Sequence, residues 1–205
     1  KQALAIAKDA IKSNPEELQT LRFLGSTQLA GKDSKAAMET YQQLVQKSPN
    51  AADAHLRLGL AQAAANNNDE ARSSFNNALK IKPDFVAAMD AHVQLEMLQK
   101  NYDSAMSWSK KIQAIQPRFP DGHDREGDIY MMQQRYDFAA QAYQTALAKG
   151  AGTRGLLKLQ DAMFKTGDAK GAQMKLESWI KQHPNDFAAR SALANHMLRS
   201  GQDKS

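Results

Sequence analysis

The chain has 205 residues, 42% of them hydrophobic and 7% aromatic, with 27 Lys and Arg against 22 Asp and Glu for a formal net charge of +5. A composition rich in Ala, Gln and Lys suits helices with thin apolar stripes and argues against a sheet core. The absence of cysteine excludes disulfides and thiol chemistry, no run of five or six like charges forms a tail, and no apolar stretch approaches the roughly 18 residues that cross a bilayer.

In chain order, residues 1–17 read as the second helix of a repeat, with Ala3 on its apolar face and Pro15 at its end. Residues 18–51 form the first whole unit: a helix with Leu21, Leu24 and Gly25, then one with Ala37, Tyr41, Leu44 and Val45. Residues 52–85 repeat it with Leu58, Gly59, Ala71, Phe75, Ala78 and Pro83. Residues 86–119 are looser, because Val93 stands for the glycine and Ser109 for the aromatic, with Trp108 one position earlier. Residues 120–152 return to the pattern with Gly127, Tyr130, Ala139, Tyr143 and Ala146, and 153–186 carry Leu156, Leu159, Ala172, Leu176, Trp179 and Pro184. Residues 187–205 hold one more first helix, with Leu193, Ala194, Met197 and Leu198.

The units are tied by a ladder of small residues at Ala3, Ala37, Ala71, Ala105, Ala139 and Ala172, spaced 34, 34, 34, 34 and 33 residues apart. Twelve residues after each rung stands a proline, at Pro15, Pro49, Pro83, Pro117 and Pro184; after the fifth rung Ala151 takes its place. A helix pair of this size cannot bury its own apolar face, so a period this regular predicts stacking into an array. Gly25, Gly59 and Gly127 are expected to let helices approach closely, while Tyr41, Phe75, Tyr143 and Leu176 fill the space between units. Asn66-Asn67-Asn68 and Gly167-Asp168 supply turn chemistry. Residues 149–152 lack one residue and the proline and gain two glycines, which predicts either a hinge or a deletion tolerated in a loop.

The L-G…A…F/Y…A…P skeleton of Leu58, Gly59, Ala71, Phe75, Ala78 and Pro83, repeated along the whole chain, resembles the tetratricopeptide repeat (TPR). The resemblance implies an all-α solenoid, a right-handed superhelix of about 11–12 helices in antiparallel pairs, that binds partners in a concave groove lined by first helices. A narrower resemblance is carried by GDIYMMQQRYDFAAQAYQTAL (127–147) and WIKQHPNDFAARSALANHML (179–198). These runs are similar to the bacterial PEP-CTERM system TPR-repeat lipoproteins, which implies exopolysaccharide assembly or cell-surface protein sorting. It further implies a location in the periplasm or on a membrane facing it, with membrane contact only through a lipid anchor outside this segment. A cytoplasmic location stays open. The chain lacks an initiating Met and opens inside a helix, so it is expected to be part of a longer protein.

In the family, groove-facing side chains occupy the second, fifth and ninth positions of a repeat. Asp121, Asp124 and Asp128 hold those positions in one unit, spaced to share a helix face; Asp90 and Gln94 precede them and Asp161 follows. One reading is an acidic patch for a basic segment or an amine-bearing polymer. The other is that Asp121 and Asp124 favour the helix N-terminus, with Arg125 and Arg154 neutralising the rest. Arg22, Arg57 and Lys158 add scattered positive charge. Met97, Met131 and Met132 either present an adaptable surface or fill gaps between helices. The carboxylate clamp of chaperone-binding family members is not reproduced, since its positions read Arg22/Ser26, Arg57 and Ala87/Ala91.

No catalytic, cofactor-binding or metal residues are expected. His55, His92, His123, His183 and His196 fall in separate repeats, and neighbouring residues of 121–126 point in different directions on a helix. No H-E-x-x-H, G-x-S-x-G or phosphate-binding glycine loop occurs. Lys32, Lys35, Lys47, Lys110 and Lys111 fall on second helices without an aromatic platform, which argues against nucleic acid. The expected function is a non-catalytic scaffold for a protein or peptide partner, or for a polysaccharide-assembly component. The alternative is an assembly or regulatory module attached to a catalytic domain outside this segment.

Overall fold

The computed structural model describes residues 18–199, so the helix expected in 1–17 lies outside the described residues. Among those residues there are eleven α-helices and no strand. They are α1 (Leu18–Ala30), α2 (Ser34–Lys47), α3 (Ala52–Ala64), α4 (Asn68–Ile81), α5 (Val86–Leu98) and α6 (Tyr102–Ile115). Then follow α7 (Asp121–Met132), α8 (Tyr136–Ala148), α9 (Gly152–Lys165), α10 (Ala169–Gln182) and α11 (Phe187–Arg199). The chain is an α-solenoid of alternating first and second helices.

The joints within pairs share one backbone device. Lys32, Asn66, Lys100, Gln134 and Gly167 all have positive φ, at 62°, 63°, 60°, 60° and 88°. Around each, two hydrogen bonds close the helix end. The Lys32 N–H donates to Leu29 O and the Asp33 N–H to Gln28 O, both at 2.9 Å, and the same pair recurs at each of the other four. This is the Schellman motif, which satisfies carbonyls that a helix terminus leaves without partners. The second helices α2 and α10 are capped at their N-termini by Asp33 and Asp168, whose carboxylates accept the N–H of Ala36 and Gly171.

Second helices end differently. α2, α4, α6 and α10 each stop two residues before Pro49, Pro83, Pro117 or Pro184, because the residue before proline is driven out of the helical region. α8 has no such proline. It closes with a Schellman motif of its own, in which Gly150 (φ 93°) donates to Leu147 O and the Ala151 N–H to Ala146 O. The two glycines and the missing proline of 149–152 are thus one substitution of terminator, from proline to glycine.

The chain divides into two compact units, at Leu95 and Glu96 within α5. In the first unit, Leu21, Ala37, Tyr41, Leu44, Ala54, Leu58 and Ala61 form one core cluster from α1, α2 and α3. A second cluster joins Leu56, Ala71, Phe75, Ala78, Ala88, Ala91 and Leu95 from α3, α4 and α5. In the second unit, Ala139, Tyr143, Leu159 and Ala162 bind α8 to α9, and Leu156, Leu176 and Ala189 bind α9, α10 and α11. Each of Tyr41, Phe75 and Tyr143 therefore serves two neighbours. It lies against the glycine of its own first helix and packs into the cluster of the next.

The glycines are obligatory at that contact. A Cβ on Gly25 would sit 2.4 Å from the Tyr41 ring, on Gly59 2.5 Å from Phe75, and on Gly127 2.3 Å from Tyr143. Burial of these large rings is worth about 2–3 kcal/mol each. Behind two of them lies a buried polar pair that sequence reading did not foresee. The Thr40 hydroxyl donates to Gln28 Oε1 at 2.8 Å and Ser74 to Gln62 Oε1 at 2.6 Å, one repeat apart.

Candidate partner-binding site

The candidate site is built on α7 and α9 in the second unit. The 3.6-residue period places Asp121, Asp124 and Asp128 on one face of α7. One repeat later, α9 sends Lys158 back across that face. Its Nζ donates to Asp124 Oδ2 at 2.7 Å and to Asp128 Oδ1 and Oδ2 at 2.7 and 2.9 Å. The three side chains are only 22%, 14% and 19% exposed, so these bonds are largely shielded from water. Arg125 reaches Asp128 and Arg154 reaches Asp124, each at 3.3 Å, and Arg154 is 71% exposed.

Tyr143 of α8 supports the row from the core side. Its hydroxyl donates to Asp128 Oδ1 at 2.7 Å. Burial first, then the Asp128 charge, push this phenol well above its ordinary value, so it remains a hydrogen-bond donor. Beside the row, Asp121, Asp124, Arg125, Arg154 and the Gly150–Ala151 backbone enclose a cleft of about 200 Å³. Of the two ways in which Asp121 and Asp124 could favour the N-terminus of α7, capping is not made, whereas their place in the first turn fits the helix dipole. Pro120 occupies the cap position without a side-chain bond.

In the first unit two positions of the register are reversed, Arg22 for Asp124 and Asp53 for Arg154, while Arg57 keeps the positive charge of Lys158. Arg22 of α1 and Arg57 of α3 both donate through Nε to Asp53 Oδ2, at 3.1 and 2.8 Å. The hydrogen bond to Asp53 is the main reason the Arg57 guanidinium is held above its ordinary value. Tyr41, three repeats before Tyr143, is raised chiefly by burial, and its hydrogen bond to Arg57 works against that rise. The equivalent tyrosine therefore serves a cation in one unit and an anion in the other.

The remaining expected residues are scattered. Gln94 donates to Asp90 Oδ2 at 2.7 Å, one helical turn away. Met97 is half-buried and Asp161 exposed. Met131 packs against the core joining α8 and α9, which makes it a packing residue, while Met132 is exposed. Lys158, expected as scattered charge, is the centre of the acidic row. Asp53 and Tyr143 were missed as members. Asp53 holds the second position of its repeat, the register of Asp121, so the positional rule applied to every unit would have found it. Residues 121–126 do converge in part: His123 Nδ1 lies 3.6 Å from Glu126 Oε2, where Gln113 also donates at 2.8 Å. Among the described residues no group of three or more His, Asp or Glu side chains is placed to hold a metal, and no helix is long and apolar enough to cross a membrane.

A profile of the tetratricopeptide repeat-like domain matches residues 17–163, well over half the sequence. The chain belongs to the tetratricopeptide repeat family. As a TPR protein it has the fold of a protein–protein interaction scaffold. No curated protein matches it significantly. Its backbone is similar to that of PilW, described as a widely conserved type IV pilus biogenesis factor, at TM-score 0.70 and 20% identity over 94% of this chain and 90% of that one. It is also similar to a tetratricopeptide repeat protein from Parabacteroides merdae, at TM-score 0.71 and 18% identity over 96% and 77% of the two chains. A chain of the APC/C hetero-tetramer Cut9–Hcn1 superposes at TM-score 0.69 and 17% identity over 97% of this chain, which spans 40% of that chain's length. At these identities the likeness concerns the TPR fold.

Proposed function

We propose that this TPR chain is a non-catalytic scaffold that captures a basic segment of a partner on the face shared by α7 and α9. The observation that supports this reading is the seat of Lys158. Asp124 and Asp128 hold its ammonium with three charge-assisted bonds, so the row is shaped to accept an amine. Asp121 extends the row into the adjoining cleft, and the exposed Arg154 is the group that an incoming cation displaces. Capture is stoichiometric, with no bond made or broken. The setting we favour is bacterial exopolysaccharide assembly or PEP-CTERM protein sorting on the periplasmic side, a reading supported by the likeness of residues 127–147 and 179–198 to that system's lipoproteins.

Calorimetric titration with tetralysine amide tests the site. Asp121→Asn is expected to weaken binding and Arg154→Ala to tighten it, because the first removes an acceptor and the second a competing cation. Equal affinity in both variants and the parent would remove the acidic row from the function. Competition by an amine-bearing sugar oligomer would favour the polysaccharide setting, and fractionation of cells producing the full-length protein tests the compartment.

A further inference from the structure

The second helices that meet a proline end in a common turn. In the turns 48–51, 82–85, 116–119 and 183–186 the last N–H donates to the first C=O, at 3.1, 3.1, 3.1 and 3.0 Å, with proline in second place. What these turns present differs. The third residue is Asn50, Asp84 and Asn185 in three of them and Arg118 in the fourth. Phe85 closes its turn packed against the core, whereas its equivalent one repeat later, Phe119, stands 58% exposed. The turn after α6 thus holds a ring and a guanidinium outward, where the turn after α4 buries the ring and carries a carboxylate.

The same character continues up α6. Trp108, Lys111 and Ile115 fall at i, i+3 and i+7 and share one face. Ile115 is 40% exposed, and the Lys111 Nζ lies 3.7 Å from the centroid of the half-buried Trp108 ring. Lys110 stands exposed beside them, where the other second helices carry Gln42, Asn76, Gln144 and Glu177. From the next repeat, Lys149 of α8 reaches the turn and donates to Pro117 O at 2.5 Å. Between Asp103 and Asp121 the sequence has no carboxylate. Asp103 stands in the first turn of α6, and Asp121 belongs to the acidic row of α7. Among the described residues, Lys110, Lys111, Arg118 and Lys149 have no carboxylate partner, so the positive charge of this face is uncompensated.

We propose that the outer stripe of α6 and the turn that follows it form a contact surface for a membrane leaflet rich in anionic lipid. Phe119 and Ile115 enter the boundary between headgroups and acyl chains, Trp108 sits at headgroup level, and the unpaired cations lie against the phosphates. Buried apolar area and attraction to anionic lipid together set the strength of such a contact. A soluble acidic partner satisfies the cations but leaves the outward ring in water; a lipid interface accepts both. The stripe is carried by a second helix and the acidic row by first helices, so this surface does not depend on the α7–α9 row. It places a lipid contact within the array itself, in addition to any anchor outside it.

Co-sedimentation of the whole chain with vesicles tests it, using phosphatidylcholine alone or mixed with about one third phosphatidylglycerol. Binding is expected on the anionic vesicles only, weakening as salt is added. Lys110→Gln with Lys111→Gln is expected to lower the partition coefficient about 10- to 30-fold, and Phe119→Ser about tenfold. Removing the same charge elsewhere, by Lys32→Gln with Lys35→Gln, should leave it within about twofold. These side chains are exposed, and an unchanged urea midpoint verifies that each variant folds. Parental partitioning by Phe119→Ser reduces the face to a charge patch for dissolved polyanions and overturns the proposal. So does an equal loss in the Lys32 and Lys35 control, equal binding to neutral vesicles, or no binding to either kind.

Discussion

At the scale of the single residue, Lys158 carries the most consequence. It compensates two shielded carboxylates, and removing a partner from a buried charge cluster costs more than the cluster contributes when intact. Lys158→Met is expected to lower unfolding free energy by about 2–3 kcal/mol in urea titrations. Adding Asp128→Asn to that variant is expected to restore part of the loss, because one stranded charge disappears. Asp186 makes a different test. Thr153 and Trp179 donate to its Oδ2 and the Ala189 N–H to its Oδ1, which holds its carboxyl at about 2. A folded-state value below the unfolded one of about 3.9 stabilises the protein above pH ~4 and loses that contribution as pH falls through ~2. The urea midpoints of the parent and Asp186→Asn should therefore differ at pH 7 and converge at pH 2.

At the scale of the element, the αL positions stand out. Lys32, Lys100 and Gln134 adopt a conformation that costs a side-chain-bearing residue about 1–2 kcal/mol, and glycine adopts it freely. Each substitution to glycine is expected to stabilise the chain by about 0.5–1 kcal/mol net of the added unfolded-state entropy. Thermal unfolding of the single and triple variants measures this. The glycine–aromatic contact gives the opposite sign. Gly59→Val should destabilise by about 1–3 kcal/mol through overpacking against Phe75. Pairing it with Phe75→Ser, as the sequence pairs Val93 with Ser109, should cost less than the two single effects added, in a double-mutant cycle.

These elements also show what the sequence could disclose. Ala37, Ala71, Ala105, Ala139 and Ala172 are fully buried, and a period of small residues is visible in one dimension because packing requires it at every turn. The αL turns were invisible at three of five joints, since lysine or glutamine occupies them and only backbone hydrogen bonding reveals the motif. The candidate site was half legible. Helical spacing gathers Asp121, Asp124 and Asp128 onto one face, but the seat of Lys158 depends on where a neighbouring helix lies, thirty or more residues away. Spacing within a helix cannot report that.

At the scale of the whole molecule, a repeat array is held by contacts between neighbours, so damage should remain local. Gly59→Val is expected to speed amide hydrogen exchange in α3 and α4 while leaving α8 and α9 at parental rates. Uniform acceleration along the chain would instead mark a single cooperative transition.

The reversed charges of the two units bear on how such an array assembles. Its apolar positions are nearly interchangeable, so hydrophobic packing alone would tolerate a helix pair docking beside the wrong neighbour, a known hazard of repeat chains. The ion pairs are only partly interchangeable: Arg57 and Lys158 hold equivalent positions with the same charge, but the pair Arg22–Asp53 is reversed in Asp124–Arg154. If α9 took the place of α3 beside α1, Arg154 would stand where Asp53 receives Arg22. If α3 took the place of α9 beside α7, Asp53 would stand where Arg154 meets Asp124. Each error sets like charges together where the native pair attracts. The charged residues thus act as an address written over a repetitive text, telling each helix pair which neighbour is its own.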